Sequence, residues 1–130
     1  MLDASVAACW AYHDETAAEA EAAADWAERF TPHAPILFWF ELRNALVGGE
    51  RRRRLRPSDT ETFLSDLAQL AIEFDTHPDE HRTLALARAH RLSVYDAAYL
   101  ALALRLGLPL ATLDRQLATA ARREGARLVD

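Results

Sequence analysis

The chain has 130 residues, a net charge of −5, a single cysteine (Cys9) and no lysine. One cysteine excludes an intrachain disulfide. The missing lysine excludes a Walker P-loop, Schiff-base chemistry and the usual lysine of a receiver domain, and the acidic balance argues against a general nucleic-acid coat. The length predicts one domain over residues 1–130, with Cys9 as a buried filler.

Along the chain, Asp3 lies where a short strand runs into a first helical region. That region holds Trp10 and Tyr12, and Ala- and Glu-rich residues from Thr16 to Phe30 predict a helix. Trp10, Tyr12, Trp26 and Phe30 read as core, or in part as an apolar groove for a partner helix. Thr31-Pro32-His33-Ala34-Pro35 breaks the helix. A further helix covers Phe38 to Leu46 and ends near Gly48-Gly49, or continues through the arginine run to Pro57. Ser58 with Glu61 resembles a capping box, and the helix it opens runs to about Leu70. Ala71 to Asp75 alternates as a short strand does, and Asp79 to His90 reads as a helix. His77 and His81, four apart, read as a solvated pair before a metal face.

Ser93-Val94-Tyr95-Asp96 is a second capping-box pattern. The helix it opens, Ala97 to Leu106, is apolar nearly all round, which predicts burial, and Gly107 supplies its stop. Leu108 to Leu113 predicts a strand, Asp114 opens another helix, and Arg127-Leu128-Val129 predicts a last strand. Strands separated by helices in this way predict a three-layer α/β domain with a mostly parallel, short-stranded central sheet flanked by helices. Ligands of such sheets bind outside the carboxyl ends of the strands. No run of about 18 uncharged apolar residues is present and no basic leader precedes Asp3, so the expectation is a soluble, cytoplasmic protein without a membrane span.

Four acids stand at notable places. Each has an ordinary reading: Asp3 and Asp114 as helix N-caps, Asp96 as the partner of Ser93, Glu41 as a surface glutamate. Against this, Asp96 and Glu41 both sit in strongly apolar surroundings, and a buried carboxylate needs a partner or a cation. Carboxylates gathered about 5 Å apart at an effective dielectric near 20 repel by roughly 3 kcal/mol per pair. Mg²⁺ or Mn²⁺ is the natural remedy for such a site.

Leu2-Asp3-Ala4-Ser5-Val6 resembles the first motif of PIN-domain nucleases. Glu41-Leu42-Arg43-Asn44-Ala45-Leu46 resembles the second, Tyr95-Asp96-Ala97-Ala98-Tyr99-Leu100-Ala101-Leu102-Ala103 the third and most specific, and Leu110-Ala111-Thr112-Leu113-Asp114 the fourth. The four occur in order over nearly the whole chain, and the short length and third motif are similar to the VapC toxin branch. The resemblance implies an Mg²⁺- or Mn²⁺-dependent endoribonuclease, a homodimer, and a cognate antitoxin that blocks the site. It implies Asp3, Glu41, Asp96 and Asp114 as catalytic acids, with Asp3, Asp96 and Asp114 as metal ligands. Ser5, Asn44 and Thr112 follow as polar groups supporting them. Only Met1 and Leu2 precede Asp3, where the family has a longer first strand, so that strand is expected to be truncated or to begin upstream.

Arg51, Arg52, Arg53 and Arg54 form the basic cluster, either a solvated helix end or a set of RNA-backbone contacts. Two other readings stand beside the ribonuclease. One is a PIN-fold binding module without catalysis, and the other is an α/β phosphotransfer domain using Asp3 or Asp114, which the missing lysine disfavours.

Overall fold

The computed structural model describes residues 1–12 and 16–129. Among the described residues, seven helices surround a small parallel sheet: α1 (Ala4–Ala11), α2 (Ala18–Arg29), α3 (Leu37–Arg51), α4 (Pro57–Ala68), α5 (Glu80–His90), α6 (Val94–Leu106) and α7 (Arg115–Arg123), with strands β1 (His33–Pro35) and β2 (Glu73–Asp75). No helix among the described residues is long and apolar enough to cross a membrane.

β1 and β2 pair in parallel, Ala34 opposite Phe74. Single-residue parallel pairings extend them, Leu2 with Ala111 and Leu110 with Leu128. The Leu2 N–H donates to the His33 carbonyl at 2.9 Å and joins the two sets. Across the sheet the order is therefore Glu73–Asp75, His33–Pro35, Leu2, Leu110–Ala111, Leu128: third, second, first, fourth, fifth in chain order. The winding reverses between the first and fourth segments, which is where a parallel sheet opens a crevice for a ligand. Asp3 and Thr112 are the next residues after these two segments.

The helices follow from the sequence with informative exceptions. Gly107 ends α6 with φ +64°, a left-handed conformation that glycine adopts without steric cost. For α3 the sequence allows an end near Gly48-Gly49 or continuation through the arginine run to Pro57; the helix runs through the glycines and ends between the two, at Arg51. A methyl group at Gly49 would collide with the Tyr12 hydroxyl and ring, so the glycine is there for close packing of α1 on α3. The Ser58–Glu61 capping box is also displaced. Pro57 occupies the first turn of α4, where its missing N–H costs nothing. The Asp59 carboxylate accepts the Arg56 backbone N–H at 2.9 Å and its guanidinium at 2.8 Å.

The segment Thr31–Pro35, read as a breaker, contains β1. Proline forbids helix and favours extended backbone, so the same residues that stop α2 start the strand. The strands expected over Leu108–Leu113 and Arg127–Val129 reduce to Leu110–Ala111 and Leu128, and the first strand reduces to Leu2. The buried core is built largely from α1, α3 and α6, with Val6, Phe38, Leu42, Leu46, Tyr99 and Leu100 fully enclosed. Cys9 is buried in it. Of the four aromatics assigned to the core, Tyr12 is buried and Trp10 half-buried, its indole donating to the Ala20 carbonyl at 2.8 Å. Trp26 and Phe30 instead remain 39% and 58% exposed, their rings in contact 4.8 Å apart.

Candidate acidic site at the carboxyl edge of the sheet

Asp3 occupies the N-cap position of α1, yet its carboxylate makes no capping hydrogen bond. It turns to the sheet instead. One oxygen, Oδ2, accepts from Ser5 Oγ and from Thr112 Oγ1, both at 2.6 Å. Each hydroxyl is held in turn by a backbone N–H, Ser5 by Leu113 and Thr112 by Asp114, both at 3.0 Å. Both hydroxyl protons therefore point at Asp3, and the two sides of the crevice are tied through one carboxylate.

Glu41 projects from α3 and accepts a 2.6 Å hydrogen bond from the Tyr99 hydroxyl of α6. Asp96, in the first turn of α6, is half-buried. It takes the expected Ser93 cap, its N–H donating to Ser93 Oγ at 3.0 Å and its carboxylate accepting the same hydroxyl at 2.6 Å. Burial raises the Asp3 and Glu41 carboxyls above the ordinary carboxylate range. The charge of Asp96 pushes both further, and the charge of Asp3 adds to the effect on Glu41. Tyr99 is held protonated, its pKa raised by burial and by the hydrogen bond to Glu41. Asp3, Glu41 and Asp96 thus lie within electrostatic reach of one another. Among the described residues none of the three is ion-paired with arginine or histidine.

The other expected residues fall differently. Asp114 is exposed and caps α7, accepting the Leu117 N–H at 2.7 Å. Asn44 is exposed on α3 and hydrogen-bonds to none of the acids among the described residues. Arg51, Arg52, Arg53 and Arg54 are all exposed at the far end of α3. The ten residues separating Glu41 from Arg51 correspond to roughly 15 Å of helix. Arg54 lies over the Tyr12 ring, 4.4 Å from its centre. His77 and His81 are both exposed, with His77 Nδ1 3.0 Å from the Thr76 hydroxyl.

No three acidic, histidine or cysteine side chains among the described residues are close enough to form a ready metal cage. The chemistry of the set nevertheless fits a divalent cation: mutually repelling oxygen donors, partly desolvated, and supported by hydroxyls instead of cations. A cleft of about 620 Å³ does not lie over these acids. It runs between α5, α6 and the ends of β1 and β2, bordered by Ile36, Thr83, Val94, Tyr95 and Arg105.

Tyr99 was given no role on sequence grounds, although a signal existed. It stands three residues after Asp96 and so shares a helix face with it, and a buried phenol needs a hydrogen-bond partner.

The PIN domain family model matches residues 1–123. The chain is 36% identical over 121 residues to Ribonuclease VapC3 of Pyrobaculum aerophilum, covering 91% of both proteins. Its fold is similar to the crystal structure of PAE2754 from Pyrobaculum aerophilum. There the TM-score is 0.75 at 25% identity, over 98% of this chain and 87% of that one. A family match over nearly the full length, on the same segments that carry Asp3, Glu41, Asp96 and Asp114, shows that the chain belongs to the PIN domain family.

Proposed function

We propose that this protein is a metal-dependent endoribonuclease that acts as the toxin of a toxin–antitoxin pair. The observation that carries the reading is the trio Asp3, Glu41 and Asp96. They lie near the reversal point of the sheet, where Asp96 acts on Asp3 and both act on Glu41, with no ion-paired arginine or histidine among the described residues. The likeness to a protein named as a VapC ribonuclease supports RNA as the substrate.

In this account Asp3 and Asp96 hold Mg²⁺ or Mn²⁺, joined by Asp114, with Glu41 alongside. The bound ion supplies an activated water at neutral pH and neutralises charge on the phosphodiester. Ser5 and Thr112 fix the direction of the Asp3 lone pairs, and Tyr99 fixes Glu41. Glu41, with its raised affinity for a proton, is the group placed to take one from the attacking water. Asp114 keeps its second oxygen for a ligand while the first caps α7.

A homodimer and an antitoxin complete the proposal. Ile36, Phe40, Val94 and Tyr95 are 41–64% exposed, an apolar surface of the kind that a second copy covers. The exposed Trp26–Phe30 pair on α2 offers an anchor for an amphipathic antitoxin helix. A cytoplasmic location follows from an RNA target there.

The test is cleavage of RNA by the purified chain with Mg²⁺ or Mn²⁺, with EDTA, and after Asp96→Asn. The reading expects cleavage only in the first case. It also expects that expression arrests bacterial growth and that the arrest needs Asp96. A folded Asp96→Asn protein that arrests growth as wild type does would replace the nuclease by the catalytically inactive binding module.

A further inference from the structure

A cleft of about 510 Å³ opens beside the acidic site, bordered by Thr112 and Asp114 at the strand end, Glu19 of α2, and Arg115, Thr119 and Arg122 of α7. It shares Thr112 with the Asp3 network, so the two regions are continuous. Arg115 and Arg122 lie seven residues apart, two helical turns and roughly 10 Å along one face of α7. Both are exposed, and neither forms an ion pair among the described residues. Arg105 and Arg56, by contrast, hold carboxylates at 2.8 Å. Asp114 and Glu19 also border the cleft, and neither is ion-paired with these arginines among the described residues. One Asp114 oxygen accepts a helix N–H. The Thr119 hydroxyl donates to the Arg115 carbonyl within the helix, which leaves the arginines as the cleft's cationic donors.

Arg115 is also badly placed for helix stability. It occupies the first position of α7, where the helix dipole disfavours a cation. The cost of a cation there is modest, and an anionic ligand in the cleft would offset it.

We infer that the Arg115–Arg122 face of α7 is a track for the ribose-phosphate backbone of single-stranded RNA on its way through the acidic site. The inference rests on the ribonuclease reading and adds to it the surface that holds the substrate. The spacing of the two arginines suits two different phosphates of one strand. Such contacts give affinity and register without sequence choice.

The experiment is fluorescence anisotropy of a labelled, unstructured RNA oligonucleotide in EDTA, over a range of salt concentrations. Wild type is compared with Arg115→Ala/Arg122→Ala and with alanine at Arg51, Arg52, Arg53 and Arg54. The α7 double variant is expected to bind about tenfold more weakly whatever the sequence, with a log–log salt slope shallower by about 1.4 units for two lost contacts on a single strand. Its Tm should not fall, and lysine at both positions should restore the slope. The Arg51–Arg54 variant should keep the wild-type slope. An α7 double variant with wild-type affinity and slope overturns the inference alone, provided wild type binds and cleaves. If wild type binds no RNA in EDTA yet cleaves it with Mn²⁺, the inference falls and the ribonuclease reading stands; if it neither binds nor cleaves, both fall.

Discussion

Two groups of carboxylates in this molecule are held in different ways. Asp75 faces Arg105 at 2.8 Å, Asp59 faces Arg56 at 2.8 Å, and Glu124 faces His90 at 2.6 Å. These acids lie around the periphery, each with a basic side chain. At the carboxyl edge of the sheet, Asp3 is 6% exposed and has two hydroxyls, and Glu41 has one phenol. A hydroxyl orients a carboxylate and solvates it in part, but it brings no positive charge. Asp3, the most buried acid among the described residues, is thus one without a paired protein cation there, the reverse of what stability alone would select. On the reading proposed above, the carboxyl edge is where a cation from outside would complete the site.

The largest expected effect comes from Asp3→Asn. It keeps the shape of the side chain and removes the charge that the account assigns to the metal. Cleavage should fall by roughly a hundredfold or more, beyond the 10–100-fold typical of residues that only support a ligand. The same substitution should raise the melting temperature of the metal-free protein at neutral pH. Burial places the folded-state pKa of Asp3 above its ordinary value of 3.8, and that of Glu41 above 4.5. The native state therefore binds more protons than the unfolded chain as pH rises through and above these values, and stability declines over that window. Asp3→Asn should flatten the decline in melts run with EDTA. A metal-free melting profile that gains stability over the same rise in pH would mean that the edge acids are compensated within the protein.

An intermediate effect is expected from Tyr99→Phe, which deletes one hydrogen bond to Glu41 and leaves the ring in the core. Activity should fall about 10–100-fold while the thermal melt moves little, since Phe fills nearly the same volume. Equal activity would show that Glu41 needs no positioning by α6. The smallest effect belongs to the peripheral group. Arg105→Ala breaks the pair with Asp75, but the Arg105 side chain is 41% exposed. Solvent screening limits the loss to about 0–1 kcal/mol, and cleavage should be unchanged. A large loss of activity from Arg105→Ala would erase the distinction between the two groups.

Much of this contrast was legible in the sequence, and the reason differs from residue to residue. Asp3 and Asp96 were legible because each falls at a break between element types, where side chains gather in a parallel sheet. Thr112 and Ser5 were legible through motif resemblance, and the structure gives them a shared acceptor that no spacing rule supplies. Tyr99 was hidden because its role depends on α3 lying beside α6, a tertiary fact. Asp114 shows the opposite limit. Its N-cap signal was plain, and the structure confirms the cap, but an N-cap aspartate looks the same whether or not it also serves a ligand. The strands were overcalled in length because apolar runs such as Leu108–Leu113 signal burial as strongly as pairing. β1 was overlooked because Pro32 just before it and Pro35 at its end read first as punctuation. Gly49 misled in the same way, since packing against Tyr12 and helix termination both demand a residue without a side chain.

The central claim is that the edge acids wait for a divalent cation, and thermal melts with and without Mn²⁺ test it most directly. Wild type, melted at neutral pH in EDTA and then in Mn²⁺ at about a hundred times its dissociation constant, should gain about 2.7 kcal/mol. In a domain of this size that is several degrees in Tm. Asp96→Asn should start at or above the wild-type metal-free Tm and gain little or nothing from Mn²⁺. Equal gains in both proteins, or none in wild type, would contradict the assignment of the cation to Asp3 and Asp96, joined by Asp114.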